Sequence, residues 1–115
     1  MKNRSRYLQV IITVPDRLTA QKITRILLER HVGACVQTIG PITSCYWWKG
    51  KIAKSREFLC IVKTNRRSYP VLEKIVKNIH PYEVPEIIAV LITTGYRGYL
   101  VWLREALGKP DRRFK

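Results

Sequence analysis

The chain has 115 residues, 46% hydrophobic and 26% charged, the makeup of a single folded domain rather than a disordered segment. Lys and Arg number 22 against 8 Asp and Glu, a formal charge of +14, which attracts polyanions without selecting one. No apolar run reaches the roughly 18 residues of a membrane span, and Ile11-Ile12-Thr13-Val14, behind the basic start, is too short for a signal peptide and is broken by Pro15.

A cytosolic protein without membrane contact is therefore expected. Part of the charge sits in the basic ends, 1–6 and 109–115, which read as flexible. Cys35, Cys45 and Cys60 are odd in number and lack the two-residue gap of a zinc or redox motif. They read as reduced, packed side chains.

Tyr7 to Val14 is rich in β-branched residues and reads as a buried strand. Asp16 is placed to cap a helix, and Ala20, Ile23, Ile26, Leu27 and Arg30 keep helical spacing over about 17–32. Gly33 is expected to close that helix in the left-handed region. Residues 34–46 read as a second strand, bent at Gly40-Pro41, where Pro demands a bulge or an edge. A turn with Gly50 at its tip leads into a third strand, 52–64, so the two form a long antiparallel hairpin. Within the third strand Phe58, Cys60 and Val62 point one way and Leu59, Ile61 and Lys63 the other.

Asn65 or Ser68 can cap a second helix, in which Pro70 is acceptable in the first turn and Leu72, Ile75, Val76 and Ile79 form the buried stripe. That helix must end before His80-Pro81, since the residue preceding Pro leaves helical geometry. Residues 86–93 read as a fourth strand, 95–98 as a turn, and Tyr99, Leu100, Leu103 and Leu107 as a third helix closed by Gly108. The order is the ferredoxin-like βαββαβ of an α+β fold, with an additional C-terminal helix, in one domain spanning 1–115.

The fold alone assigns no activity. RNA-recognition modules share it, but their third strand carries Gly and stacking aromatics. Here that strand is Arg56-Glu57-Phe58-Leu59-Cys60-Ile61-Val62, with one aromatic and no Gly. A nucleic-acid-binding module acting through its basic surface is thus the alternative reading, and it rests on charge. For an enzyme, the chain lacks a Ser-His-Asp set, a nucleophile elbow and a phosphate loop, so no catalysis is expected. His31 sits where a cation suits a helix C-terminus. A Cys35-His80 pair would need the two to meet. Cys35, His80 and Glu83 suit copper or zinc by ligand type, but only His80 and Glu83 are near in sequence. Strand alternation sends Trp47 and Trp48 to opposite faces, so one of them is exposed unless an interface covers it.

Taken together, Ala34-Cys35-Val36, Tyr46-Trp47-Trp48-Lys49-Gly50-Lys51-Ile52, Ile61-Val62-Lys63-Thr64, His80-Pro81-Tyr82-Glu83-Val84-Pro85-Glu86-Ile87-Ile88 and Tyr99-Leu100-Val101-Trp102-Leu103 resemble the CutA family, the divalent-cation-tolerance proteins, from about residue 7 to 107. The resemblance implies a homotrimer with PII-like architecture, a role in tolerance to divalent cations, copper above all, and ligand clefts between subunits. Carried over by position, the cleft residues are Cys35, Trp48, Glu57, Lys63, His80, Tyr82 and Glu83, for a small ligand or a divalent cation such as copper, with His80 as the metal ligand. Where many relatives carry acidic residues at the hairpin tip, this chain has Lys49 and Ala53-Lys54-Ser55-Arg56. Non-specific polyanion binding follows from the charge.

Overall fold

In the computed structural model, which describes residues 6–108, the strand Tyr7–Val14 (β1) is paired along both edges. Its partners are β3 (Lys51–Asn65) and β4 (Ile87–Leu91), and β2 (Cys35–Trp48) flanks β3, giving the sheet order β2-β3-β1-β4 with every pairing antiparallel. Helices α1 (Arg17–Glu29), α2 (Tyr69–Ile79) and α3 (Arg97–Leu107) complete the expected ferredoxin-like α+β order and its added C-terminal helix. Apart from Arg6, the basic ends lie outside the described residues.

The core follows from alternation. Val10, Ile12 and Val14 of β1, with Phe58, Cys60 and Val62 of β3, face Ala20, Ile23 and Leu27 of α1 and Val71, Leu72, Ile75 and Val76 of α2. At about 1.5–3 kcal/mol for each fully buried large aliphatic side chain, this layer dominates the stability. The opposite sheet face carries the other parity. There Ile11, Leu59 and Ile61 are half-buried, and Ile39, Ile88 and Val90 are exposed. A monomer leaves this apolar face open to water.

Helix ends show where the residues depart from expectation. Asp16 caps α1 as expected, its carboxylate accepting from the Thr19 N–H at 2.8 Å, and that bond lowers the Asp16 pKa. At the far end α1 stops at Glu29, and the left-handed residue is His31, with φ 57°, rather than Gly33. Gly33 is needed for space instead: a Cβ there would lie 3.0 Å from Val62 Cγ1 and 3.3 Å from Leu27 Cβ. The His31 ring donates from Nδ1 to the Ala106 carbonyl at 2.9 Å, joining the ends of α1 and α3. For α2, Asn65 does the capping work by accepting from the Ser68 N–H at 2.8 Å, while the Ser68 side chain makes no cap bond.

The hairpin is longer than expected at both ends of its turn. Lys49 and Gly50 both take positive φ, 51° and 78°, which suits the two-residue turn that matches strand twist. The ladder slips between Ile39 and Ile42, at the expected bend of Gly40-Pro41. Gly40 is required there because a Cβ would sit 2.4 Å from Phe58 Cδ2. β4 is shorter than the expected 86–93, and Gly98 belongs to α3 rather than to a turn.

Candidate functional site

Where the hairpin runs on past the end of β1, a cleft of about 710 Å³ opens between β2, β3 and loop 81–86. Alternation supplies one wall: Ser44, Tyr46 and Trp48 share a face of β2. Glu57 of β3 forms the floor and Pro81, Tyr82 and Val84 the facing wall. Glu83 and Glu86 stand exposed at the rim.

The loop is held by His80. Its Nε2–H donates to the Thr13 carbonyl at 2.7 Å, and its Nδ1 accepts from the Tyr82 N–H at 3.1 Å. These two bonds require the neutral tautomer protonated at Nε2. His80 is 8% exposed, and its ring packs tilted against that of Tyr82, 4.7 Å between centroids and 52° between planes. Tyr82 then reaches across the cleft, its hydroxyl donating to Glu57 Oε2 at 2.7 Å. Burial first, and then this bond to a carboxylate, hold the Tyr82 phenol well above its ordinary pKa. Across the hairpin, the Tyr46 and Ser55 hydroxyls share a 2.6 Å bond that fixes the Tyr46 ring.

Of the residues expected at the cleft, Trp48, Glu57, Tyr82 and Glu83 line it, and His80 supports it from behind. Cys35 and Lys63 do not join them. They pair with each other across the β2–β3 ladder, six residues along β3 from Glu57, or about 20 Å. Lys63 Nζ donates there to Gln37 Oε1 at 2.9 Å. Burial first, and then the neighbouring Cys35, raise the Tyr99 pKa. Nor does Cys35 meet His80, which is bonded to the Thr13 carbonyl, opposite Leu59 and four residues along β3 from the Cys35–Lys63 pair. Sequence reasoning missed Ser44, Tyr46 and Glu86. The signal for the first two was their shared parity with Trp48.

The expectation that His80 ligates a metal does not fit this geometry. Both ring nitrogens are engaged within the chain, so ligation would break a buried hydrogen bond. Among the described residues no group of three or more His, Cys, Asp or Glu could hold a metal ion. The nucleic-acid alternative gains no support either. The open sheet face offers Ile11, Leu59, Ile61 and Ile88, aliphatic where base stacking needs rings. No helix among the described residues is long and apolar enough to cross a membrane.

Comparison with known proteins agrees with the fold. The family model of the CutA1 divalent ion tolerance protein matches residues 8–106. A divalent-cation tolerance protein CutA of Thermus thermophilus is 44% identical over 99 residues, which cover 86% of this chain and 96% of that one. Protein CutA of Homo sapiens is 42% identical over 94 residues, 82% of this chain but only 52% of the human one, so this chain spans about half that relative's length. A solved structure of a divalent cation tolerance protein from Thermus thermophilus superposes with TM-score 0.87 at 43% identity, covering 89% of this chain and 99% of that one. A structure from Archaeoglobus fulgidus, described as a periplasmic divalent cation tolerance protein CutA, gives 0.85 at 37% identity, over 88% and 98% of the two chains.

Proposed function

Because this chain belongs to the CutA1 divalent ion tolerance family, we propose that it serves tolerance to divalent cations, copper above all, as a non-catalytic homotrimer that binds a small ligand in the cleft beneath Tyr82. The observation that carries this reading is the buried Glu57 at the floor of that cleft, clasped by a loop that His80 holds rigid. A loop fixed at both ends by Pro81 and Pro85 and tied back to β1 is built for placement.

Self-association is supported by the uncovered sheet face and by Trp47 and Ile52. These two pair across the hairpin and are 72% and 69% exposed. Alternation puts Glu57 on the same side of β3 as Leu59 and Ile61, so the cleft borders that face and would lie between subunits. In this reading copper acts on the protein indirectly, since His80 is committed elsewhere. Three free cysteines suit a reducing compartment, the cytosol.

Two measurements test the proposal. Sedimentation equilibrium should give three chains per particle, and an Ile61→Arg variant should give monomer; a wild-type monomer at micromolar concentration ends the trimer reading. Calorimetry with Cu²⁺ should give the same isotherm for wild type and a His80→Gln variant; loss of copper binding in the variant restores the metal role of His80.

A further inference from the structure

Glu57 is unusual in its setting. Among the described residues it is the one buried carboxylate, 5% exposed, while Asp16, Glu29, Glu73, Glu83, Glu86 and Glu105 are exposed. A chain with 22 Lys and Arg has no shortage of counter-ions, yet none of the described ones within the same chain is paired with Glu57. The polar partner its carboxylate has is a neutral phenol, that of Tyr82. Alternation turns Arg56 and Phe58 to the other side of the strand, and Arg17 lies over the Phe58 ring there, 4.8 Å from its centroid.

A buried carboxylate without a cation is costly, and such charges are found paired. Glu57 helps to line the cleft, so its carboxylate acts on whatever the cleft holds. The other walls say which cation would fit. Tyr46, Trp48 and Tyr82 present aromatic surface, and aromatic faces attract organic cations through the ring quadrupole. The Trp48 ring already draws one cation, Lys49 Nζ at 5.7 Å from its centroid. Glu83 and Glu86 add negative charge at the mouth. A bare divalent ion would need converging donors, which the described residues do not supply. At about 710 Å³ the cleft has the size of a small-molecule site.

We infer that the cleft takes a small organic cation, an ammonium head on an apolar body, with Glu57 as its buried counter-ion. The inference rests on the cleft being the ligand site and adds the class of ligand. The head donates N–H bonds to the Glu57 carboxylate beside the Tyr82 hydroxyl, and the body lies against Trp48 and Tyr46. Binding sets a cation against the Glu57 carboxylate, so affinity should depend on the charge of the head more than on its shape.

The test compares two probes of similar shape on the full-length protein, cyclohexylammonium and cyclohexanol, by the indole N–H signal of Trp48 in heteronuclear NMR. The ammonium should bind at least tenfold more tightly than the alcohol. Glu57→Gln, which keeps an acceptor for Tyr82, should bring the two within about twofold while the spectrum away from the cleft stays native. If the alcohol matches the ammonium on the wild type, the cation inference falls and the cleft remains a ligand site. If neither probe moves the Trp48 signal, both fall. The wild-type comparison decides the matter even if the variant does not fold.

Discussion

The Tyr82 hydroxyl donates to Glu57 Oε2 across 2.7 Å, closing loop 81–86 onto β3. Because the acceptor is a buried carboxylate, this bond belongs to the stronger class, worth about 1.5–3 kcal/mol. Tyr82→Phe should therefore lower unfolding free energy by about 2 kcal/mol. Urea denaturation of the two proteins checks it, and an unchanged midpoint would show that water replaces the phenol without loss.

His80→Ala should cost more. It leaves the Thr13 carbonyl and the Tyr82 N–H without their partners, each worth about 1–3 kcal/mol when buried and unmet. A total loss of about 2–6 kcal/mol is expected, together with faster amide exchange at Tyr82. A stable variant whose Tyr82 amide stays protected would mean that His80 is not what holds the loop.

Tyr69 gives a pH signature. Its phenol is pushed from 10.0 up to about 12, by burial first and then by the hydrogen bond to Glu73, which measures 3.0 Å. Below pH 10 both folded and unfolded forms keep the proton, and stability is unaffected. Between about 10 and 12 the unfolded chain releases it first, so stability falls as pH rises. The fall should be shallower in Tyr69→Phe. Lysines titrate in the same range, so the difference between the two proteins is the quantity to read.

Gly33→Ala should destabilise by about 1–3 kcal/mol through overpacking, because the new methyl meets Val62 and Leu27 at the distances of crowded contacts. Thermal melts test this, and an unchanged melting temperature would show that Val62 can move aside at no cost.

The elements were legible because their signals are periodic. Leu59, Ile61 and Lys63 alternate with Phe58, Cys60 and Val62, and the observed register keeps that split intact. The end of α1 was not legible. A Gly in the right place suggested a left-handed cap, but burial of Gly33 against Val62 claimed that residue for packing, and His31 took the conformation instead. The cleft was half legible. Glu57, Tyr82, Glu83 and Trp48 could be assigned through motif resemblance, yet Lys63 shares the strand face of Glu57 and still lies about 20 Å away. Parity tells which side a residue faces and nothing of how far along the strand a loop will fold back.

On the ribosome, β1 is made before either of the strands that pair with it. Its edges wait for Lys51–Asn65 and Ile87–Leu91, the latter about 70 residues downstream, an interval on the order of ten seconds at ordinary rates of synthesis. Through that interval Val10, Ile11, Ile12 and Val14 form a β-prone stretch with no partner, the kind that recruits other nascent chains. Lys2, Arg4 and Arg6 on one side and Arg17 on the other flank it with like charge. These flanking cations thus act as gatekeepers for the emerging strand, repelling its counterparts until β3 and β4 arrive.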